Sequence, residues 1–544
     1  MKPIYESMKE SFCRDIYRVQ SNVIAAPVAS VWADTDFLQT VEVQRPQTVF
    51  FRLDQNLHVL ANDGTIIASL YDCLSVTKSF IPVFYFNDFK VAQKLSAFVY
   101  DHAIGDATLC VPYEKKEVLE QAFLLMPLLR CMMDCRALNA DTDWMYTAGQ
   151  IWKSRAISLL ISAAQCTRET VDLLHERLLS VWCEANDEWA SVIFDGVDGV
   201  ITGQVEVEGL YSLLEKLPEH SLLDRYRIIV HKGFQDGYTE PENSITAVKK
   251  GADCALDGAE IDIKLTTDGI PFVIHNPSTK AMLKGDPRDV ESLSSTELAS
   301  LERTDFPGEY TDRLEDMMQA LKGYKNYPIF IEFKPNEKLY HVEKMTHAVK
   351  GIVERTGTEY MAVALCVPQA MRYVQRLLPT LPKISGVWEE PDPPKNMEQA
   401  NELLYRLCER LSGTPAALCV EDVMVNPLFG AAAAMRGIFT VVWTRSWYFK
   451  HSLWENDGAR SDEGFISGFY ATISDHAEHY FDIPRKIDMD NQRNPIGVMR
   501  DFSRKKLEDA TLYDLGNGTC VWGVEITLPY GLKFHMFSKS FQKE

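Results

Sequence analysis

A run of ~18 uninterrupted apolar residues, the length that spans a bilayer, occurs nowhere in this sequence. The best contender, "AFLLMPLLRCMM", is short and contains Pro127 and Arg130, so no transmembrane segment is expected. The N-terminus, "MKPIYESMKESFCRD", lacks the apolar core of a secretory signal, and no leader is expected either. Paired cysteine motifs are missing. The 12 cysteines are scattered without a CxxC, and Cys131 and Cys135, one helical turn apart, read as packing rather than a metal site. Reduced, structural cysteines and a cytoplasmic location are the expectation. Positive charge is scarce as well: 56 Lys and Arg against 77 Asp and Glu leave a net charge of −21. That field repels nucleic acid and anionic membrane surfaces, and neither is expected as a partner. An anionic ligand would need local lysines or a metal to overcome it.

What is present is an ordinary globular mix, 46% hydrophobic and 24% charged, over 544 residues. That is too long for one core and implies two or three domains. From about residue 226, short apolar runs alternate with amphipathic helical patterns, the signature of a parallel α/β architecture. "RIIVHKG", "GAEIDIKL", "PFVIHN", "YPIFIEFK", "EYMAVALCV", "AALCVEDV" and "IFTVVWT" read as strands. "ENSITAVKKGA", ending in glycine, "PQAMRYVQRLL" and "NPLFGAAAAMRG" read as helices. That succession suits a (β/α)8 barrel, whose chemistry sits at the C-terminal strand ends.

The first 220 residues repeat the pattern in the same order. "SLYDCL" resembles "RLEDMM", "FIPVFYFND" resembles "NYPIFIEFKP", "LCVPYEKK" resembles "LCVPQAMR", and "LLSVWCEAND" resembles "FTVVWTRSW". The fold expected is therefore two tandem (β/α)8 TIM-barrel-like domains, residues 1–220 and 221–487, followed by a β-rich tail over 488–544. In the tail, "GTCVWGVEITLPYGLKFHMF" reads as a β-hairpin turning at "PYG". It would pack on the second barrel or serve a partner interface, and a homo-oligomer stays open.

"AEIDIKL" sets Glu260 and Asp262 two apart, so both carboxylates face one side of a strand. Facing inward they would repel, and a hard cation such as Mg²⁺ or Ca²⁺ resolves the conflict; facing outward they are two solvated acids. "PIFIEFK" repeats the spacing with Glu332, a candidate third ligand, and Lys334, a candidate phosphate contact, unless the two form a strand-end salt bridge. His231 and His275 each end an apolar strand and suit an acid–base pair; singly, either would read as a core histidine. With Lys232 beside His231, the set suits an anionic phosphorus centre.

Taken in order, "HKGFQDGYTEPENS", "GAEIDIKLTTDGIPFVIHN", "TDRLEDMM", "IFIEFK" and "VVWT" resemble the motifs of glycerophosphodiester phosphodiesterases, over about residues 226–485. The resemblance implies a divalent-cation-dependent barrel that splits a small glycerophosphodiester into glycerol 3-phosphate and an alcohol. It implies His231 and His275 as the acid–base pair, and Glu260, Asp262 and Glu332 as metal ligands. Lys334 matches the phosphate-contacting lysine, Glu242 and Asn243 the "EN" beside the site, and Trp443 the pocket tryptophan, which could equally be packing. The sequence departs from the family pattern at Lys232, where arginine is usual, and at Asn276, where aspartate is usual. The extra residues "ALDG" before "AEID" are expected to shift the first strand–helix connection. Residues 1–220 contain neither HxG nor ExD, and aligning the strands puts Phe86 and Asp88 at the positions of Glu332 and Lys334. The first half therefore resembles a degenerate, inactive copy, and "DGVDGVIT" resembles the closing motif. Two other readings use the same residues: a lyase that releases a cyclic phosphate, as in the related sphingomyelinase D group, and a binding protein without turnover.

Overall fold

The computed structural model describes residues 2–543 except 20, 204–205, 236–238, 281, 335–338, 388–391, 412–413, 422–423, 444–461, 491–493 and 517. The end of the "FTVVWTRSW" repeat lies outside the described residues. Eight parallel strands close the first barrel: β1 (Val28–Trp32), β2 (Thr48–Leu53), β3 (Ile81–Tyr85), β4 (Thr108–Pro112), β5 (Arg130–Asp134), β6 (Ser158–Ser162), β7 (Ser180–Glu184) and β8 (Gly199–Ile201), with β8 paired back to β1. Eight more close the second: β9 (Arg227–Val230), β10 (Ala259–Leu265), β11 (Ile329–Phe333), β12 (Ala362–Cys366), β13 (Lys383–Val387), β14 (Ala417–Glu421), β15 (Thr440–Trp443) and β16 (Ala471–Ser474). Two tandem barrels and a strand-rich tail are thus the architecture. No helix among the described residues is long and apolar enough to cross a membrane.

The first barrel is filled by one side chain from each strand: Val28, Phe50, Val83, Cys110, Met132, Leu160, Trp182 and Ile201. Trp182 lies so close over Gly199 that a Cβ there would fall 2.4 Å from the indole. Above this layer the mouth is closed by a network of charged and aromatic side chains. Arg136 bonds both Asp134 and Glu184, Trp32 Nε1 donates to Glu184 (2.6 Å), and Tyr85 donates to Asp134 (3.1 Å). Arg52 lies 3.8 Å above the Trp32 ring.

The register corrects the expected equivalence of Phe86 and Glu332. Asp262 and Glu332 are lateral partners on β10 and β11, whereas the inward pair on β2 and β3 is Arg52 and Tyr85. Phe86 is one residue further, and belongs to the core outside that interior cluster. A shift of one flips the face of a strand. Asp88 caps the helix Phe89–Asp101, accepting from Lys90 N–H (2.9 Å).

Two other expectations change. The helix read in "ENSITAVKKGA" spans Ile245–Asp253, capped by Ser244, so Gly251 lies inside it rather than at its end. There a Cβ would sit 2.4 Å from Tyr327 Oη, so the glycine permits close packing. "ALDG" forms the helix-to-strand connection entering β10, at the barrel's N-terminal end and away from the chemistry. Its Asp257 is buried, accepts from Ile228 N–H (3.0 Å), and pairs with Arg225 and with Arg500 of the tail.

The barrels meet through their N-terminal ends, so their C-terminal mouths point apart. Asp106, just before β4, is fully buried against Arg436, just before β15 (2.8 Å), and Arg130 at the start of β5 (2.7 Å). The tail joins both lead-in segments. Val23–Ile24, Ser221–Leu222, Lys533–Phe537, Thr519–Thr527 and Thr511–Gly516 lie side by side in one sheet. The hairpin expected at "PYG" is present, with Thr527 opposite Lys533 and Gly531 at φ +91°.

Between the barrels, His175 is fully buried and gripped from both sides, with Nε2 2.9 Å from Asp198 and Nδ1 3.0 Å from Asp224. Arg227 pairs with Asp224 and Asp172, while the rings of Phe439 and Tyr470 meet the imidazole edge-on. Burial opposes its charge, but the two carboxylates prevail and lift it to about 9. A raised folded-state value means this stabilisation is complete below the ordinary 6.5 and is lost as pH climbs through about 9. The loss expected is about 3 kcal/mol. Thermal melting across that interval should fall for the natural chain and stay level, relative to it, in His175→Gln; parallel curves would refute the assignment.

Candidate active site

The mouth of the second barrel begins with a tight turn after β9. Lys232 and Asn243 both adopt left-handed backbone, at φ +55° each, a conformation that costs a residue with a Cβ about 1–2 kcal/mol. It directs Lys232 N–H to Glu260 Oε2 (3.2 Å), while Asn243 N–H bonds the Lys232 carbonyl (2.7 Å). Gly233 follows at φ +84°, where a Cβ would lie 2.9 Å from that of Ala247. The positive φ and the close approach of Ala247 explain the glycine of "HKG".

β10 and β11 bring Glu260, Asp262 and Glu332 together, with ligand atoms all within 4.8 Å of one another. Asp262 is fully buried and Glu260 nearly so. Asn243 grips Asp262 twice: its Nδ2 donates to Oδ2 and its Oδ1 accepts from the Asp262 N–H, each at 3.0 Å. Arg303 fixes this loop by donating to the carbonyls of Glu242 (2.9 Å) and Asn243 (3.2 Å). Lys334 Nζ stands between Asp262 (2.9 Å) and Glu332 (3.2 Å), and Lys232 Nζ lies 3.2 Å from Glu242. Both lysines expected at phosphate thus already hold carboxylates. Burial pushes Glu260 well above the usual carboxylate range, with the Asp262 charge adding to the effect. Burial acts likewise on Asp262, but Lys334 and nearby cations hold it low. Glu260 Oε1 has no hydrogen-bond partner among the described residues. An orphaned buried carboxylate oxygen within an all-oxygen donor set fits a hard divalent cation.

The histidines differ in support. His231 Nδ1 lies 2.7 Å from Asp475, its Nε2 3.8 Å from Glu260, and its ring centroid 6.1 Å from that of half-buried Trp443. Burial opposes its charge, yet Asp475 and Glu260 raise it to about 9. His275 Nδ1 instead lies 2.8 Å from Asn276 Oδ1. Burial lowers it, with Lys334 and Lys232 reinforcing and Asp262 opposing. "PFVIHN" is not a barrel strand: Pro271–Val273 folds back antiparallel on the end of β10, and Ile274 N–H reaches the Asp262 carbonyl (2.9 Å). His275 therefore enters from a flap over the mouth.

The structure thus gathers Lys232, Glu242, Asn243, His275, Asn276, Glu332, Lys334 and Trp443 around the Glu260–Asp262 pair and His231. Sequence reasoning missed Asp475, just beyond β16, and Glu421, the buried end of β14 and lateral partner of Trp443. Both follow apolar runs ("ATISD", "ALCVE"), the signal that singled out Glu332.

Residues 231–460 match the sequence model of the glycerophosphoryl diester phosphodiesterase family. Glycerophosphodiester phosphodiesterase 1 of Bos taurus is 23% identical over 265 residues, 43% of this chain and 76% of that protein. A glycerophosphodiester phosphodiesterase of Caldanaerobacter subterraneus subsp. tengcongensis is 29% identical over 161 residues; the alignment spans 28% of this chain and 63% of the relative. Among solved structures, a glycerophosphodiester phosphodiesterase from Parabacteroides distasonis aligns at 19% identity and a TM-score of 0.38, covering 47% of this chain and 94% of its own. An Oleispira antarctica phosphodiesterase in complex with the product sn-glycerol-3-phosphate aligns at 17% identity and a TM-score of 0.37, covering 46% and 93%.

Proposed function

Residues 231–460 belong to the glycerophosphoryl diester phosphodiesterase family, a family of phosphoric diester hydrolases, and from that premise we propose that the second barrel hydrolyses glycerophosphodiesters to glycerol 3-phosphate and an alcohol. The observation that carries the reading is the largely buried carboxylate triad in a mouth that also holds two histidines with unlike partners. Glu260, Asp262 and Glu332 would hold a divalent cation, Mg²⁺ or Ca²⁺, which when bound offsets phosphate charge and acidifies an attacking hydroxyl. Asn243 keeps Asp262 aimed at that position. Lys334 and Lys232 keep the surroundings of the phosphate positive against the chain's overall negative field.

His275 donates from Nδ1 to a neutral amide, so Nε2 carries the lone pair and suits the base. It takes the proton of the glycerol hydroxyl next to the phosphate as that oxygen attacks phosphorus. His231, paired with the Asp475 carboxylate, is the imidazolium and gives its Nε2 proton to the departing alcohol. Water then opens the cyclic phosphate with the proton roles exchanged.

The first barrel, in this reading, is an inactive brace: its mouth carries ion pairs where the second carries the triad. None of the 12 cysteines, all of them among the described residues, forms a disulfide, which supports a reducing, cytoplasmic location.

The test is release of glycerol 3-phosphate from a panel of glycerophosphodiesters, with Mg²⁺ or Ca²⁺ added or chelated. Activity should require the cation and fall roughly 10³-fold in Glu332→Ala, several kcal/mol of lost charge stabilisation. Full activity in that variant, or after chelation, would overturn the cation's place. A cyclic phosphate accumulating as the final product in the phosphorus NMR spectrum would overturn the hydrolytic step.

A further inference from the structure

A second group of metal-ligating side chains stands apart from the carboxylate triad, on the turn Ala477–Tyr480 that follows β16. His476, Glu478 and His479 there place one ligand atom each within 4.8 Å of the others. We infer that this "HAEH" turn binds a borderline transition cation, with Zn²⁺ as its natural type, through His476 Nδ1, Glu478 Oε1 and His479 Nε2.

The spacing is near what such an ion requires. Bonds of 2.0–2.1 Å in a tetrahedron put neighbouring ligand atoms about 3.4 Å apart. Glu478 Oε1 lies 3.4 Å from His476 Nδ1 and 3.9 Å from His479 Nε2, so the two edges that meet at the carboxylate need a shift of about half an ångström. The two imidazoles already lie nearly parallel, 10° between planes with centroids 5.3 Å apart.

Two independent observations support a ligand. Glu478 Oε2, the second oxygen of the ligating carboxylate, is buried without a hydrogen-bond partner among the described residues, a cost relieved when the cation is held by both oxygens of Glu478. The far nitrogen of His479 is also occupied in the way ligating histidines usually are: Nδ1 lies 2.9 Å from Tyr530 Oη, and Tyr530 N–H donates to Asp462 Oδ2 (3.1 Å). Tyr530 belongs to the "PYG" turn of the tail, so the site couples the closing strand of the barrel to the tail hairpin. Asp475, the partner of His231, immediately precedes His476. Two imidazoles and one carboxylate favour Zn²⁺ over Mg²⁺ or Ca²⁺, whereas the triad, all oxygen, has the opposite preference. The inference does not depend on the phosphodiesterase reading.

The test is a calorimetric Zn²⁺ titration of the full chain, stripped with chelator and held in excess Mg²⁺ to occupy the triad. One Zn²⁺ equivalent is expected in the natural chain and in Glu332→Ala. The equivalent should weaken at least ~100-fold in His476→Ala/His479→Ala, and ~10-fold in Tyr530→Phe, which removes a supporting hydrogen bond. With Co²⁺ as probe, the natural chain should show the intense visible absorption of a tetrahedral ion and the double variant should not. No Zn²⁺ uptake by the natural chain, or unchanged uptake by the double variant, overturns the site. Should the double variant not fold, Glu478→Gln carries the comparison, and Zn²⁺ affinity equal to that of the natural chain is the refuting result.

Discussion

Asp106→Asn should be the most destabilising single substitution in the contact between the barrels, with a loss of about 3–5 kcal/mol. The carboxylate is fully buried and pairs with Arg436 and Arg130, while Arg14 Nη2 donates to its backbone carbonyl. Arg436 is equally buried, its guanidinium also bonding Asn401 Oδ1 (3.0 Å) and the carbonyls of Ala432 (2.9 Å) and Phe12 (3.1 Å). Neutralising Asp106 strands cations that cannot rehydrate without opening the interface. The penalty for an uncompensated buried charge exceeds what the intact pair contributes. Adding Arg436→Met to Asp106→Asn should recover ~1–3 kcal/mol by removing one stranded charge, a coupling that a double-mutant cycle isolates. A denaturant midpoint for Asp106→Asn equal to that of the natural chain would show that the barrels do not depend on this network.

How far the sequence reveals the molecule follows from the range of the interactions involved. Strands such as "PIFIEF" and "AVALC" are legible because burial on both faces produces continuous apolar runs. The triad is legible because carboxylates two apart at the end of such a run have few reasons to be there. Parity is not legible: whether Tyr85 or Phe86 faces the barrel depends on where the strand enters the ladder, and an alignment by residue type cannot see that. Lys383 opens β13 inside the protein, its Nζ bonding the carbonyls of Pro379 (2.9 Å) and Leu381 (2.8 Å) beneath Trp152 of the first barrel. A lysine at that place disguises the strand "KISGV". The back-to-back packing rests on pairs such as Asp106 with Arg436, 330 positions apart, for which no local pattern exists. Asp475 stands 244 positions from the histidine it holds, so the unlike partners of His231 and His275 emerge only when the barrel closes.

That asymmetry leads to the second large effect, Asp475→Asn, expected to cost roughly 10²-fold in turnover on substrates with ordinary alcohol leaving groups, the lower end of what a positioned acid contributes. Asp475 Oδ1, 2.7 Å from His231 Nδ1, stabilises the imidazolium and fixes the ring so that its Nε2–H faces the departing oxygen. An amide retains the shape but loses the charge. His231→Ala, which removes the proton donor itself, should cost more, towards ~10⁴-fold. The chemistry of the leaving group separates the histidines. A nitrophenolate departs without needing a proton, so with a nitrophenyl ester of glycerol phosphate the burst of nitrophenolate, which reports the first step alone, should recover most of its rate in Asp475→Asn and His231→Ala. It should not rescue His275→Ala, because the attacking hydroxyl must still lose its proton whatever leaves. Rescue of His275→Ala and not of His231→Ala would exchange the two roles. Rescue of neither would mean that proton transfer to the leaving alcohol does not limit the reaction, and that Asp475 acts on the orientation of His231 rather than on its charge.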